Sequence, residues 1–106
     1  MAKYLITASY TTEGVKGLLQ AGGTARAEIV RKAVEGLGGR LESLHFAFGA
    51  DDAIVIVDLP DNVSAAALGL AVSATGHINA RTTVLLTPEE LDAAATLQVN
   101  YTPPGK

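Results

Sequence analysis

Few side chains in this 106-residue sequence are of a type and spacing to do chemistry, and they gather in three short stretches. "LITASY" carries the hydroxyls Thr7 and Ser9, "SLHFAF" carries His45, and "HINARTT" carries His77, Asn79 and Arg81. A guanidinium offers a planar fork to a carboxylate, so Arg81 suits an organic anion. An imidazole titrates near neutral pH, so His45 suits a general base or a hydrogen-bonding contact. Each has a plainer use: a strand histidine is most often a surface or interface residue, and an edge-strand arginine is most often solvated or ion-paired. His77 directly follows the helix stop Gly76, where a cation favours the helix dipole. The adjacent carboxylates Asp51 and Asp52 are better explained by turn chemistry than by a cation.

Several chemistries lack their residues. With no cysteine there is no disulfide, thiolate metal site or thiol nucleophile, which suits a reducing compartment. Neither a P-loop nor a dinucleotide-binding glycine pattern occurs. A haem ligated by His45 would need a large apolar cavity, and five aromatics with alanine-rich helices supply little to build one. No metal and no cofactor is expected.

These residues must be positioned by elements that the periodicity outlines. Residues 3–10 alternate with the period of a strand. A helical pattern through Val15, Leu18 and Leu19 is interrupted at Gly22-Gly23, resumes after Thr24 as N-cap with Ala25, Ile29, Ala33 and Leu37 on one stripe, and stops at Gly38-Gly39. Residues 40–48 and 52–59 read as two strands joined by a tight turn through Gly49, Ala50 and Asp51. Pro60 ends the second, Asp61 or Asn62 caps a helix through Ala65, Leu68 and Val72, and "HINARTTVLL" supplies a fourth strand. In "TPEE", Thr87 at N-cap, Pro88 at N1 and Glu90 at N3 form a capping box that opens a short helix from about residue 88 to 97.

The order β-α-β-β-α-β with a terminal helix predicts an α+β, ferredoxin-like antiparallel sheet with its helices on one face. A turn at Ala50-Asp51 would set Phe48 against Ala53, Phe46 against Val55 and Leu44 against Val57, with Phe46 and Phe48 in the helix-packed core. His45 and Ser43 would then share the other face with Ile54 and Ile56, joined by Thr7, Ser9, Asn79 and Arg81. An apolar floor with a few polar groups is what a small-ligand pocket needs. The strand from Ala53 to Val57 is apolar at every position, so both its faces should be dry. Helices of one chain cover one face; a second copy should cover the other.

Three stretches also resemble the GYD-domain proteins in order and spacing over roughly the first 90 residues: "YTTEGVKGLL", "GGRLESLHFAFGADDAIVIVDLPD" and "ATGHINARTTVLLTPEEL". Of the Gly-Tyr-Asp turn that names the family, Gly49 and Asp52 are kept while Ala50-Asp51 replaces the middle. The resemblance implies a branch of the dimeric α+β barrel group, small ferredoxin-like chains whose sheets close on one another, and carries no agreed activity.

The length makes this a single domain, taken as residues 1–98 with a tail over 99–106. Eight basic and eleven acidic residues give a net charge of −3 with the cations scattered, which gives nucleic-acid binding no footing. The N-terminal "MAKYLITASY" reads as a strand rather than a signal, and the longest uncharged apolar run, about a dozen residues from Val63, is too short to span a membrane. The expectation is a cytoplasmic homo-oligomer that binds a small organic anion between sheets, through His45, Arg81, Asn79, Thr7, Ser9, Ile54 and Ile56. The alternative is a small cofactor-free enzyme with His45 as base and Arg81 as anion clamp.

Overall fold

A computed structural model describes residues 1–105. Its elements run β1 (Ala2–Tyr10), α1 (Thr12–Ala21), α2 (Gly23–Gly36), β2 (Arg40–Phe46), β3 (Ala53–Leu59), α3 (Asn62–Ala74), β4 (Ile78–Leu85) and α4 (Pro88–Thr96). The four strands form one antiparallel open sheet in the order β2-β3-β1-β4, the ferredoxin-like arrangement.

The alternation in β1 and β3 builds the core. On one side of the sheet Tyr4, Val55, Val57 and Leu59 are buried against Val34 of α2 and Ala65 and Leu68 of α3, while Ala8 and Ala53 form a smaller cluster with Ile78 of β4. Tyr4 is 1% exposed, and its hydroxyl donates to Oδ1 of Asn62 at 2.6 Å, so the buried ring keeps a partner for its polar tip. The opposite side of the same strands bears Leu5, Thr7, Ser9, Ile54 and Ile56. Ile54 is 39% exposed there, so within one chain only one face of β3 is dry.

The helix ends follow their caps. Asp61 accepts from the Ser64 amide at the start of α3, and Thr87 and Glu90 close a full capping box on α4. Gly22, at φ 88°, breaks the long helical pattern into α1 and α2, a conformation that costs glycine little. It is also the residue at the N-cap of α2, where the sequence suggested Thr24. Gly14 in α1 lets the chain approach the start of β4: a Cβ there would lie 2.1 Å from the His77 carbonyl oxygen.

The β2–β3 hairpin differs from its expectation. The turn takes in all of residues 47–52, and the register is Phe46 with Ala53, Leu44 with Val55 and His45 with Ile54, two residues away from that of a two-residue turn. A shift of two conserves the faces. It also moves Phe48 out of the strand: its ring is fully exposed rather than in the core, and Phe46 keeps 41% exposure where it lies over Gly23. The longer turn is held by Asp52, whose Oδ2 accepts from the Tyr10 amide at 2.8 Å while its own amide donates to the Ala8 carbonyl. Further down, a bulge between Leu41 and Ser43 lets Leu41 and Leu44 both reach the helix side, which strict alternation forbids.

α4 stands apart. Every residue from Leu86 to Gly105 is exposed, including Leu86, Leu91, Leu97, Val99 and Tyr101, and the molecule is 56 Å long but only 23 Å thick.

Candidate functional site

The pairing registers lay the open face out in rows across the strands. His45, Ile54, Thr7 and Arg81 form one row, and Ser43, Ile56, Leu5 and Thr83 the next. Arg40, Asp58, Lys3 and Leu85 form a third, and Ser9 with Asn79 extends the face at the other end. All seven residues singled out in the sequence therefore lie on one face. His45 and Arg81 share a row but occupy opposite edge strands, three strand spacings or roughly 14 Å apart. On a single sheet they do not meet.

The two ends of the face are charged. Arg81 donates from Nη2 to Oδ1 of Asp51 at 3.1 Å, with the arginine side chain 78% exposed. At the far end, Asp58 accepts from Lys3 Nζ at 3.1 Å and from Arg40 Nη2 at 2.9 Å, while Lys3 also pairs with Glu42, the extra residue of the bulge. Hydrogen bonds from Lys3 and Arg40 overcome the desolvation of the Asp58 carboxyl and hold it below its ordinary range. Those to Glu42 and then Asp58 push the Lys3 ammonium up. The centre of the face, Leu5, Ile54 and Ile56, is apolar.

A second concave region lies on the other side of the sheet. Between α2, α3 and the strands is a cavity of about 300 Å³, walled by Val30 and Ala33, Leu68 and Val72, and Val55 and Ala80. Arg26, His77, Tyr10 and Thr75 also line it. The Arg26 Nε is out of contact with solvent and has no hydrogen-bond partner among the described residues. Arg26 carries a sequence signal of its own. Residues 26, 30, 34 and 37 recur at helical spacing and Val30, Val34 and Leu37 pack in the core, while Ala25, Ile29 and Ala33 of the expected stripe are exposed, so Arg26 is a cation at the start of the core-facing stripe of α2. His77, read as a cap, brings its backbone carbonyl to the amide and hydroxyl of Thr11.

Among the described residues no group of three or more His, Asp or Glu side chains converges as a metal site would require, and no helix is long and apolar enough to cross a membrane.

Residues 4–95 match the family model described as GYD domain. No curated protein and no solved structure matches the chain.

Proposed function

The chain belongs to the GYD-domain family, and from that premise we propose that it is a homo-oligomer closed through the open face of its sheet, with a small organic anion bound between the paired sheets. The observation that supports this is the apolar strip of Leu5, Ile54 and Ile56 at the centre of a face that no helix of the chain covers. Soluble monomers rarely carry such a strip. Apolar area buried on pairing contributes about 25 cal/mol per Å², which over a standard interface exceeds the cost of association.

The anion would lie at the margin of the strip, where Thr7, Ser9, His45, Asn79 and Arg81 stand. A two-fold axis between the sheets and parallel to the strands sets β2 of one copy over β4 of the other. The His45 of one chain then faces the Arg81 of its mate across an inter-sheet gap of about 10 Å, a composite site that one chain lacks. The same arrangement would serve a cofactor-free enzyme, with His45 as base and Arg81 as clamp.

Light scattering at micromolar concentration tests the assembly. The wild type is expected as a dimer or larger, and Ile56→Asp, which puts a charge into the interface at a cost of several kcal/mol, is expected to shift it toward monomer. A wild type that runs at 10.9 kDa overturns the reading. The composite site has its own test in thermal shifts against a panel of carboxylates. His45→Ala and Arg81→Ala should each lose the response, and re-equilibrating the two variants together should restore it in roughly a quarter of the sites, as random pairing of a two-fold dimer requires.

A further inference from the structure

We propose that the cavity between α2, α3 and the sheet is a second binding site, for a small amphiphilic carboxylate whose head group is held by Arg26. It goes beyond the interface reading, lies on the opposite face of the sheet, and does not depend on self-association.

The cavity is two-ended. Its body is aliphatic: Val30 and Ala33 from α2, Leu68 and Val72 from α3, Val55 and Ala80 from the sheet. Its other end gathers the polar groups of Arg26, His77, Tyr10 and Thr75. At about 300 Å³ it falls at the small end of the range for organic ligands. It opens to solvent between α2 and α3, and a cleft lined mainly by aliphatic side chains with a few polar groups is the form that small-ligand sites take.

Arg26 supplies the second, independent observation. A guanidinium donor removed from water without a partner carries an uncompensated desolvation cost, and such groups are few in native structures. No carboxylate among the described residues pairs with Arg26: Glu13 lies beside Lys16 at 3.8 Å, and Glu28 beside Arg31 at 3.3 Å, both on the exposed surface. A carboxylate at the polar end would meet the planar fork of Arg26 and give Nε the acceptor it lacks. The aliphatic walls would take the hydrocarbon part, since area gives affinity and the polar group gives orientation. A neutral ligand would leave Nε without a charged acceptor, and a fully polar anion such as phosphate would leave the walls without a partner.

The test is calorimetric titration of the full chain with octanoate, octanol and inorganic phosphate. Octanoate is expected to bind at least about tenfold more tightly than octanol, as a charge-assisted hydrogen bond warrants, and phosphate is expected not to bind. Arg26→Met, which keeps the apolar length of the side chain, should abolish the preference of octanoate over octanol. Arg26→Lys, which keeps the charge without the fork, should leave an intermediate preference. Ala33→Phe, which fills the body of the cavity, should weaken both ligands together, and Lys32→Ala, at an exposed cation of the same helix, should change neither. The proposal is overturned if the wild type binds neither octanoate nor octanol, if it binds the two equally, or if Arg26→Met binds octanoate as the wild type does. Octanoate binding lost in Arg81→Ala but kept in Arg26→Met would overturn it too, by placing the ligand at the sheet interface instead.

Discussion

Asp58 is the most tightly held carboxylate of the open face, 13% exposed and bonded to both Lys3 and Arg40. Burial opposes its ionisation, the two cations outweigh that, and the folded carboxyl titrates below its ordinary 3.8. A depressed carboxylate stabilises the fold above its unfolded pKa and loses that contribution as pH falls through the folded value. Its share is therefore complete above about pH 5 and declines through and below pH 3.8. Asp58→Asn should cost on the order of 1 kcal/mol at pH 7 by denaturant titration, and the difference from the wild type should shrink progressively as pH falls below 3.8. An offset that stays constant with pH would mean that shape rather than charge is what Asp58 contributes. Side-chain placement at this scale was legible wherever alternation alone decides it: His45 and Arg81 fall on the expected face. Pairing of individual atoms was not. Nothing in the order of residues says that Asp51 meets Arg81 or that Asp52 caps the end of β1, because both contacts depend on where a six-residue turn folds back.

Caps and bulges belong to the elements, and two helices with similar N-caps should answer the same deletion differently. Asp61 caps α3, which buries Ala65 and Leu68 in the core, so Asp61→Ala should cost about 1 kcal/mol of global stability and lower Tm by roughly 4–8 °C. Thr87 caps α4, which buries nothing, so Thr87→Ala should reduce helical circular dichroism while moving Tm by less than about 1 °C. Equal Tm losses in the two variants would show that α4 is coupled to the core. The capping box of α4 was fully legible, because its chemistry lies within four consecutive residues. The β2–β3 register was not. "GAD" has the composition of a tight turn, but Asp52, whose carbonyl closes the wider turn by accepting from the Ala47 amide, also bonds to β1 through its carboxylate and its own amide, so a tertiary contact overrode local propensity. The bulge at Glu42 escaped for a related reason: it is visible only when Leu41 and Leu44, three apart, are seen to share a face.

At the scale of the molecule, the order of elements was enough to give the sheet, since β-α-β-β-α-β leaves few antiparallel solutions. The helix-side cavity was not legible, because a void depends on how far α2 and α3 diverge over the strands and periodicity is silent on that. The shape also departs from a ball. The radius of gyration is 16.8 Å, against about 13 Å for a compact chain of this length, and the excess lies along the 56 Å axis. A nine-residue helix without a packing face is marginal in water, so α4 should open on its own, at a free energy far below that of the sheet. Amide hydrogen exchange reads this directly. Amides of β1 and β3 should exchange only through global unfolding, while those of residues 88–96 should exchange almost as fast as a free peptide. Slow exchange in α4 that appears only as the protein is concentrated would identify it as a segment ordered by a neighbouring copy. The last turn of this chain would then serve as a built-in gauge of how crowded the protein is.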